Sequence, residues 1–266
     1  MSIPLETLHE AGDAPRLDLP PALERLYGGA LHLDERLVYA NFVSTLDGIV
    51  AIPALARSNK LVSGGSEGDR FVMGLLRATA DIVLIGAGTL HGSPTGSWTP
   101  ERAHPASTDA FAELRRRLGL AKAPELAILS GSGSLSLAHP ALETGAVVLT
   151  SESGAARVRD QLPSRSSIVT LGEDPVLDPR RIIEALRDRG HHRILVEAGP
   201  HGFGSLVRAG LVDELFLTLS PLLVGRDPRA GRLGLVEGAD LMPAGVQARL
   251  LGLRRHGAHL FLRYGL

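Results

Sequence analysis

From residue 37 onward the chain alternates short apolar runs, rich in Val, Ile and Leu, with stretches whose apolar residues recur every three or four positions. The runs 37–43, 82–85, 126–129, 147–150, 168–171 and 194–197 read as strands. Between them, Phe71, Val72, Leu75, Leu76 and Thr79 share one helical face, and Ile182, Ile183 and Leu186 share another. Strands apolar on both faces and separated by helices belong in a parallel sheet covered on both sides, so an α/β fold is predicted. After Glu214 the rhythm changes. A strand over 215–220 is followed by 248–254 and 260–264, which bracket the turn His256-Gly257-Ala258 and predict an antiparallel hairpin closing one edge of the sheet. Residues 227–246, broken by glycine and proline, predict a long surface loop. Residues 1–36, with Pro15, Pro20 and Pro21, predict an irregular surface strap carrying a short helix over 22–27. No repeat divides the rest, so the expectation is an N-terminal extension, 1–36, and one domain, 37–266.

Composition narrows the chemistry. With 44% hydrophobic and 21% charged residues, the 266-residue chain can bury a substantial core. A formal net charge of -1 supplies no general attraction for nucleic acid or an anionic membrane, so a small molecule is the expected partner. The absence of cysteine excludes disulfides, thiolate metal sites and cysteine nucleophiles. The ten histidines show no helical metal pairing, and no metal is expected. Acidic residues at 6, 10, 13 and 18, without a long apolar run, predict neither signal peptide nor anchor, and a cytoplasmic location is the expectation.

Three segments carry candidate chemistry. Gly86-Ala87-Gly88-Thr89 leaves a strand; small residues there let amides approach a phosphate and Thr89 adds a hydroxyl, although a purely steric turn reads the same way. Gly199-Pro200-His201-Gly202-Phe203-Gly204-Ser205 leaves another strand and opens a helix, a geometry that suits a diphosphate. Asn41-Phe42-Val43-Ser44-Thr45-Leu46-Asp47-Gly48 puts polar groups at a strand's C-terminal end, where ligands of open α/β sheets bind, but Asp47 in an Asx turn would look identical. Other signals are weaker. Gly64-Gly65-Ser66-Glu67-Gly68 fits the text of a hydrolase elbow, yet the strand expected before it, 60–63, is short and Ser66 reads better as a helix N-cap. Arg115-Arg116-Arg117 reads as a solvated helix face, and His191-His192 as caps of the helix end before them.

In this order and spacing the three segments resemble the pyrimidine reductase family of riboflavin biosynthesis. Residues 39–48 are similar to its opening strand and S/T-L-D-G turn; Arg77-Ala78, Asp81 and 85–89 to its R-A-x-x-D-x-x-x-x-G-x-G-T; and 194–200, 210–215 and 220–225 to its closing motifs. The resemblance implies a dihydrofolate-reductase-like fold and hydride transfer from NADPH to the ribose C1 imine of a 5-amino-6-(5-phosphoribosylamino)uracil-like pyrimidine. It also implies a homodimer; the apolar strand 215–219 fits either such an interface or burial inside the monomer.

Carried over residue by residue, the resemblance puts Ser58, Arg77 and Glu197 on the substrate. It puts Asn41, Lys60, Gly86, Ala87, Gly88, Thr89, Ser93 and the segment Gly199, Pro200, His201, Gly202, Phe203, Gly204 and Ser205 on the cofactor. Asp47 would sit where nicotinamide and substrate meet and is the candidate proton-delivering group. Ser93 stands where the family carries an acid, Lys60 where it carries a tryptophan, and no arginine follows Thr89 in step. Those departures keep open a dihydrofolate or pterin reductase and a nucleotide-binding protein without turnover. The residues themselves leave NADPH and NADH open, since Ala87 offers no cation to a 2′-phosphate.

Overall fold

The computed structural model describes residues 4–12, 14–55 and 58–266. In chain order, β1 (Glu6–Glu10) and α1 (Pro21–Tyr27) precede β2 (Leu37–Ser44), a short β3 (Ile49–Ala51) and α2 (Ser58–Val62). Then α3 (Glu67–Thr79) feeds β4 (Ile82–Gly86), α4 (Ala87–Gly92) follows at once, and α5 (Pro100–Ala103) and α6 (Thr108–Arg117) lead to β5 (Glu125–Leu129). Next come α7 (Pro140–Thr144), β6 (Val147–Thr150), α8 (Glu152–Val158), β7 (Ser167–Thr170), α9 (Pro179–Asp188), β8 (Arg193–Glu197) and α10 (Gly199–Arg208). The chain ends with β9 (Glu214–Leu219), β10 (Leu233–Gly234), β11 (Arg249–His256) and β12 (His259–Gly265).

Among the described residues the strands form a ten-stranded sheet in the order β1-β11-β12-β9-β2-β8-β4-β5-β6-β7, beside a small β10-β3 pair. Every pairing from β9 across to β7 is parallel, and β12, β11 and β1 add an antiparallel edge. This is the α/β architecture expected, with its C-terminal hairpin. The reason is visible in β4, where Ile82, Val83, Leu84 and Ile85 are all fully buried because helices cover both faces of the sheet. One face packs against α3 through Leu75 and Leu76, the other against α9 and α10 through Ile182, Leu186 and Leu206. Ser66 caps α3 by accepting from the Asp69 amide at 3.2 Å.

Several expectations are corrected. The N-terminal extension is no surface strap: β1 pairs with β11, and Leu17, Leu19, Leu23, Tyr27, Leu31 and Leu33 are buried in the core. Residues 58–62 form a helix, not a strand. Arg115 is buried, and its guanidinium donates to the carbonyls of Ala80 at 2.8 Å, of Arg77 and Ala78 at 3.2 Å and of Ala121 at 2.6 Å, which ties α6 to the end of α3. His191 pairs with Glu125, and Arg187 rather than a histidine reaches the carbonyls beyond α9. The loop 227–246 contains β10, which pairs with β3. Of the two readings open for 215–219, burial within the chain holds: strand β9 lies inside the sheet between β12 and β2, with both edges paired. Among the described residues no helix is long and apolar enough to cross a membrane.

Candidate active site

The C-terminal ends of β4 and β8 are neighbours, with Ile85 opposite Glu197, so the two glycine-rich turns leave the sheet side by side. Their contact is close. A Cβ at Gly86 would lie 2.9 Å from the Ala198 carbonyl oxygen, and one at Gly199 would lie 3.7 Å from Thr89 Oγ1. Thr89 Oγ1 is 3.5 Å from the Glu197 carbonyl oxygen, so its hydroxyl is only weakly engaged. Gly199 has φ 72°, in the left-handed region that favours glycine. Helices α4 and α10 both begin here, at Ala87 and Gly199, and the first amides of a helix have no partner within it. Two positive helix ends, a hydroxyl and open space beside Gly88, which has nothing within 4 Å of a Cβ, form a donor set of the kind an anionic phosphate needs.

The segment 199–205 is helix, which narrows its role. Only the first turn of α10 faces the junction. Phe203 is buried against Phe42, with ring centroids 4.9 Å apart, and a Cβ at Gly204 would lie 2.6 Å from the Glu237 carbonyl oxygen, so neither residue can reach a ligand. Ser205 lies in the second turn, where its carbonyl accepts from Ala209. Pro200 has no amide to offer, and its carbonyl accepts from Glu237 at 3.3 Å. His201 is exposed and Gly202 half-buried.

Arg77 and Glu197 meet each other. Arg77 donates from Nε at 3.0 Å and from Nη2 at 2.7 Å to the two carboxylate oxygens, a bidentate pair with both side chains largely buried. The two side chains expected on the substrate are thus held together at the end of β8, with Arg77 supporting Glu197. Asn41 is half-buried on β2, one position beyond the paired Ala40 and Val196, and so lies beside Glu197.

Asp47 is tied down. It accepts from the Thr45 hydroxyl and from the amides of Val224 at 3.3 Å and Gly225 at 2.6 Å. The Thr45 bond first, then the amides, hold its carboxyl below the usual carboxylate range. A carboxylate so held has no proton to give near neutral pH, and the expected proton-delivery role is corrected: Asp47 fastens the β2–β3 turn to the 221–225 segment. Ser58 opens α2, where its hydroxyl oxygen accepts from the Ile52 amide at 3.2 Å, and Lys60 is exposed on the same helix. Ser93 ends α4; its carbonyl accepts from His139 Nε2 at 2.8 Å and from the Gly96 amide at 2.7 Å, which folds the segment down over buried Trp98.

Asp69 escaped the sequence reading. It is 5% exposed in the first turn of α3, and burial pushes its carboxyl up to about 6. The available signal was helical spacing, since position 69 precedes Val72 and Leu76 by three and seven residues and so shares their buried face.

Comparison with known proteins places this geometry in a class. A pyrimidine reductase-like protein from Corynebacterium diphtheriae shares the fold, with a TM-score of 0.69 at 20% identity, over 91% of this chain and 97% of that one. A Thermotoga maritima diaminohydroxyphosphoribosylaminopyrimidine deaminase/5-amino-6-(5-phosphoribosylamino)uracil reductase matches with a TM-score of 0.62 at 18% identity, over 87% of this chain and 56% of its own length. In sequence, the 2,5-diamino-6-ribosylamino-4(3H)-pyrimidinone 5′-phosphate reductase of Archaeoglobus fulgidus is 26% identical over 194 residues, 71% of this chain and 81% of the relative. The protein of the same name from Methanothermobacter thermautotrophicus is 31% identical over 123 residues, 46% of this chain and 56% of the relative. The family described as the RibD C-terminal domain matches residues 36–260, and the chain belongs to that family. Its homologues are pyrimidine reductases of riboflavin biosynthesis, which makes it an oxidoreductase by family.

Proposed function

We propose that this chain is an NADPH-dependent reductase that delivers hydride to the ribose C1 imine of a ribosylaminopyrimidine phosphate. The observation that carries the reading is the adjacency of Thr89 and Gly199 at two converging helix starts. The donor set fits a dinucleotide: the amides of Gly199 and His201, the Thr89 hydroxyl and the glycine turn 86–88 would hold the diphosphate. A bound nicotinamide supplies the hydride. The chain's own residues align donor and acceptor at the strand ends, where Asn41 and Glu197 lie, with Glu197 held by Arg77. By the family resemblance, Ser58 and Lys60 on α2 and Ser93 after α4 belong to the same proposal.

Two ring forms are compatible with the reading. The sequence resemblance gives the uracil form, whereas the archaeal relatives are named for the 2,5-diamino form, which differs at C2. Following nicotinamide absorbance with each pyrimidine in turn tests the proposal. Oxidation with one or both supports it, and a dihydrofolate arm separates the pterin alternative. NADPH binding without turnover on any substrate would instead favour the binding-protein reading. The homodimer belongs to this proposal, and sedimentation of the purified protein reads it directly.

A further inference from the structure

On the cofactor reading above, Thr89 supplies the hydroxyl of the cradle, so whatever fixes Thr89 fixes part of the binding site. Nothing within α4 does so strongly. The helix has six residues, too few to hold its shape unaided, and Leu90 is its buried residue. The Thr89 hydroxyl itself is only weakly engaged, at 3.5 Å from the Glu197 carbonyl oxygen. Its place therefore depends on what holds the chain just beyond the helix.

That hold comes from His139. Ser93, which follows α4 directly, gives its amide to the Leu90 carbonyl at 3.2 Å, and its own carbonyl accepts from His139 Nε2 at 2.8 Å. The other ring nitrogen settles where the ring proton lies. Nδ1 accepts from the Ala141 amide at 3.1 Å as the N-cap of α7, so the proton is on Nε2 and points at Ser93. His139 is buried, with the Trp98 ring beside it at 6.0 Å between centroids. Helix α7 is braced in turn: Leu142 is fully buried, its carbonyl accepts from the Ser166 hydroxyl at 2.7 Å, and the Ser166 oxygen accepts from the Ala146 amide at 2.9 Å. A braced element thus reaches, through one imidazole, the end of the short helix that carries Thr89.

We propose that His139 is a positioning residue of the cofactor cradle, holding Ser93 so that the Thr89 hydroxyl stands beside Gly199. Capping α7 alone would need only a side-chain oxygen, which Asn, Asp, Ser or Thr supplies. The imidazole does more, because its acceptor and its donor sit on separate atoms and serve α7 and Ser93 at once. The proposal rests on the cofactor reading, since it concerns the same cradle.

The test separates the two bonds of the ring in the full-length chain. In His139→Asn the side-chain oxygen takes the place of Nδ1, keeps the cap and ends short of Ser93; in His139→Gln the amide nitrogen takes the place of Nε2, keeps the hold on Ser93 and gives up the cap. NADPH affinity is read by calorimetry, KM for NADPH and kcat by nicotinamide absorbance with the ribosylaminopyrimidine phosphates, and stability by urea unfolding. His139→Asn should bind NADPH about fivefold more weakly, the usual worth of one hydrogen bond, with an unfolding midpoint close to wild type. The loss should fall on KM for NADPH rather than on kcat. His139→Gln should restore the affinity while unfolding earlier than wild type. In a Thr89→Val background His139→Asn should cost no further affinity, because its effect runs through the hydroxyl already removed. If His139→Asn fails to fold, His139→Gln decides alone: it must bind NADPH within about twofold of wild type, and a larger loss overturns the proposal. A His139→Asn variant of wild-type affinity, or two variants that lose affinity in step with stability, overturns this inference and leaves the cofactor reading standing. A wild type that binds no NADPH overturns the cofactor reading, and this inference with it.

Discussion

Three chain reversals at the C-terminal edge of the sheet look alike in sequence and fall into two kinds that differ in chemistry. The β2–β3 turn carries the more reactive-looking residue, Asp47, but every strong interaction it makes is internal, with Thr45, Val224 and Gly225. The β4 and β8 turns carry little beyond glycine, a threonine and helix ends, yet their amides are the ones without intrahelical partners. A site is marked by polar groups left without partners in the fold, not by the residue with the strongest intrinsic chemistry. Asp47 serves the framework, and the plain turns carry the donors proposed for the ligand.

The largest effect should come from closing the space between the turns. Gly199→Val places a branched side chain at φ 72° and against Thr89, and should weaken NADPH binding about a hundredfold, about 3 kcal/mol, with the circular dichroism spectrum preserved. Calorimetry that finds wild-type affinity would show that the junction is not the cofactor cradle. Asp69 should give an effect of similar size on stability. Its folded pKa, about 6, lies above the ordinary 3.8, so the native state binds the extra proton between those values and stability falls as pH rises from about 4 to 6. Urea unfolding of Asp69→Asn should show the variant gaining on wild type across that window by up to about 3 kcal/mol, the worth of two pKa units.

Asp47→Asn separates the framework turn from the ligand turn. Its lowered carboxyl contributes stability that is present above the ordinary value of 3.8 and is lost as pH falls through the folded value. The variant should therefore melt below wild type at pH 7, with the gap closing under acid conditions, while NADPH affinity stays within about threefold, a change of under 1 kcal/mol. A variant of wild-type stability that has lost all turnover would return Asp47 to the chemistry. Thr89→Val should be the mildest change, weakening NADPH by about 1 kcal/mol, the usual worth of one hydrogen bond. An unchanged dissociation constant would leave that hydroxyl without a role.

The parts of the fold written in local pattern were legible from the sequence. Residues 82–85 are apolar throughout and form a strand buried on both faces; 71–79 keep helical spacing and form α3. The misreadings share a cause, because neighbours distant in sequence decided them. The run 6–10 alternates poorly and becomes a strand only because β11 offers it an edge. Arg115 lies four residues beyond Phe111 and so on the buried face of α6, but the triple arginine masks that spacing. The glycines of 199–205 suggest a loop, whereas Pro200 in the first turn and close packing against the 237 region make it a helix. The two phosphate-type turns could be named from sequence, but their adjacency depends on β4 and β8 being neighbours, which strand patterns alone do not encode.

A crystal structure of the protein soaked with NADPH tests the central claim most directly. The account predicts diphosphate oxygens within hydrogen-bonding distance of the Gly199 and His201 amides and the Thr89 hydroxyl, with the nicotinamide directed toward Asn41 and Glu197. A dinucleotide bound elsewhere, with the Thr89 and Gly199 turns left empty, would contradict it.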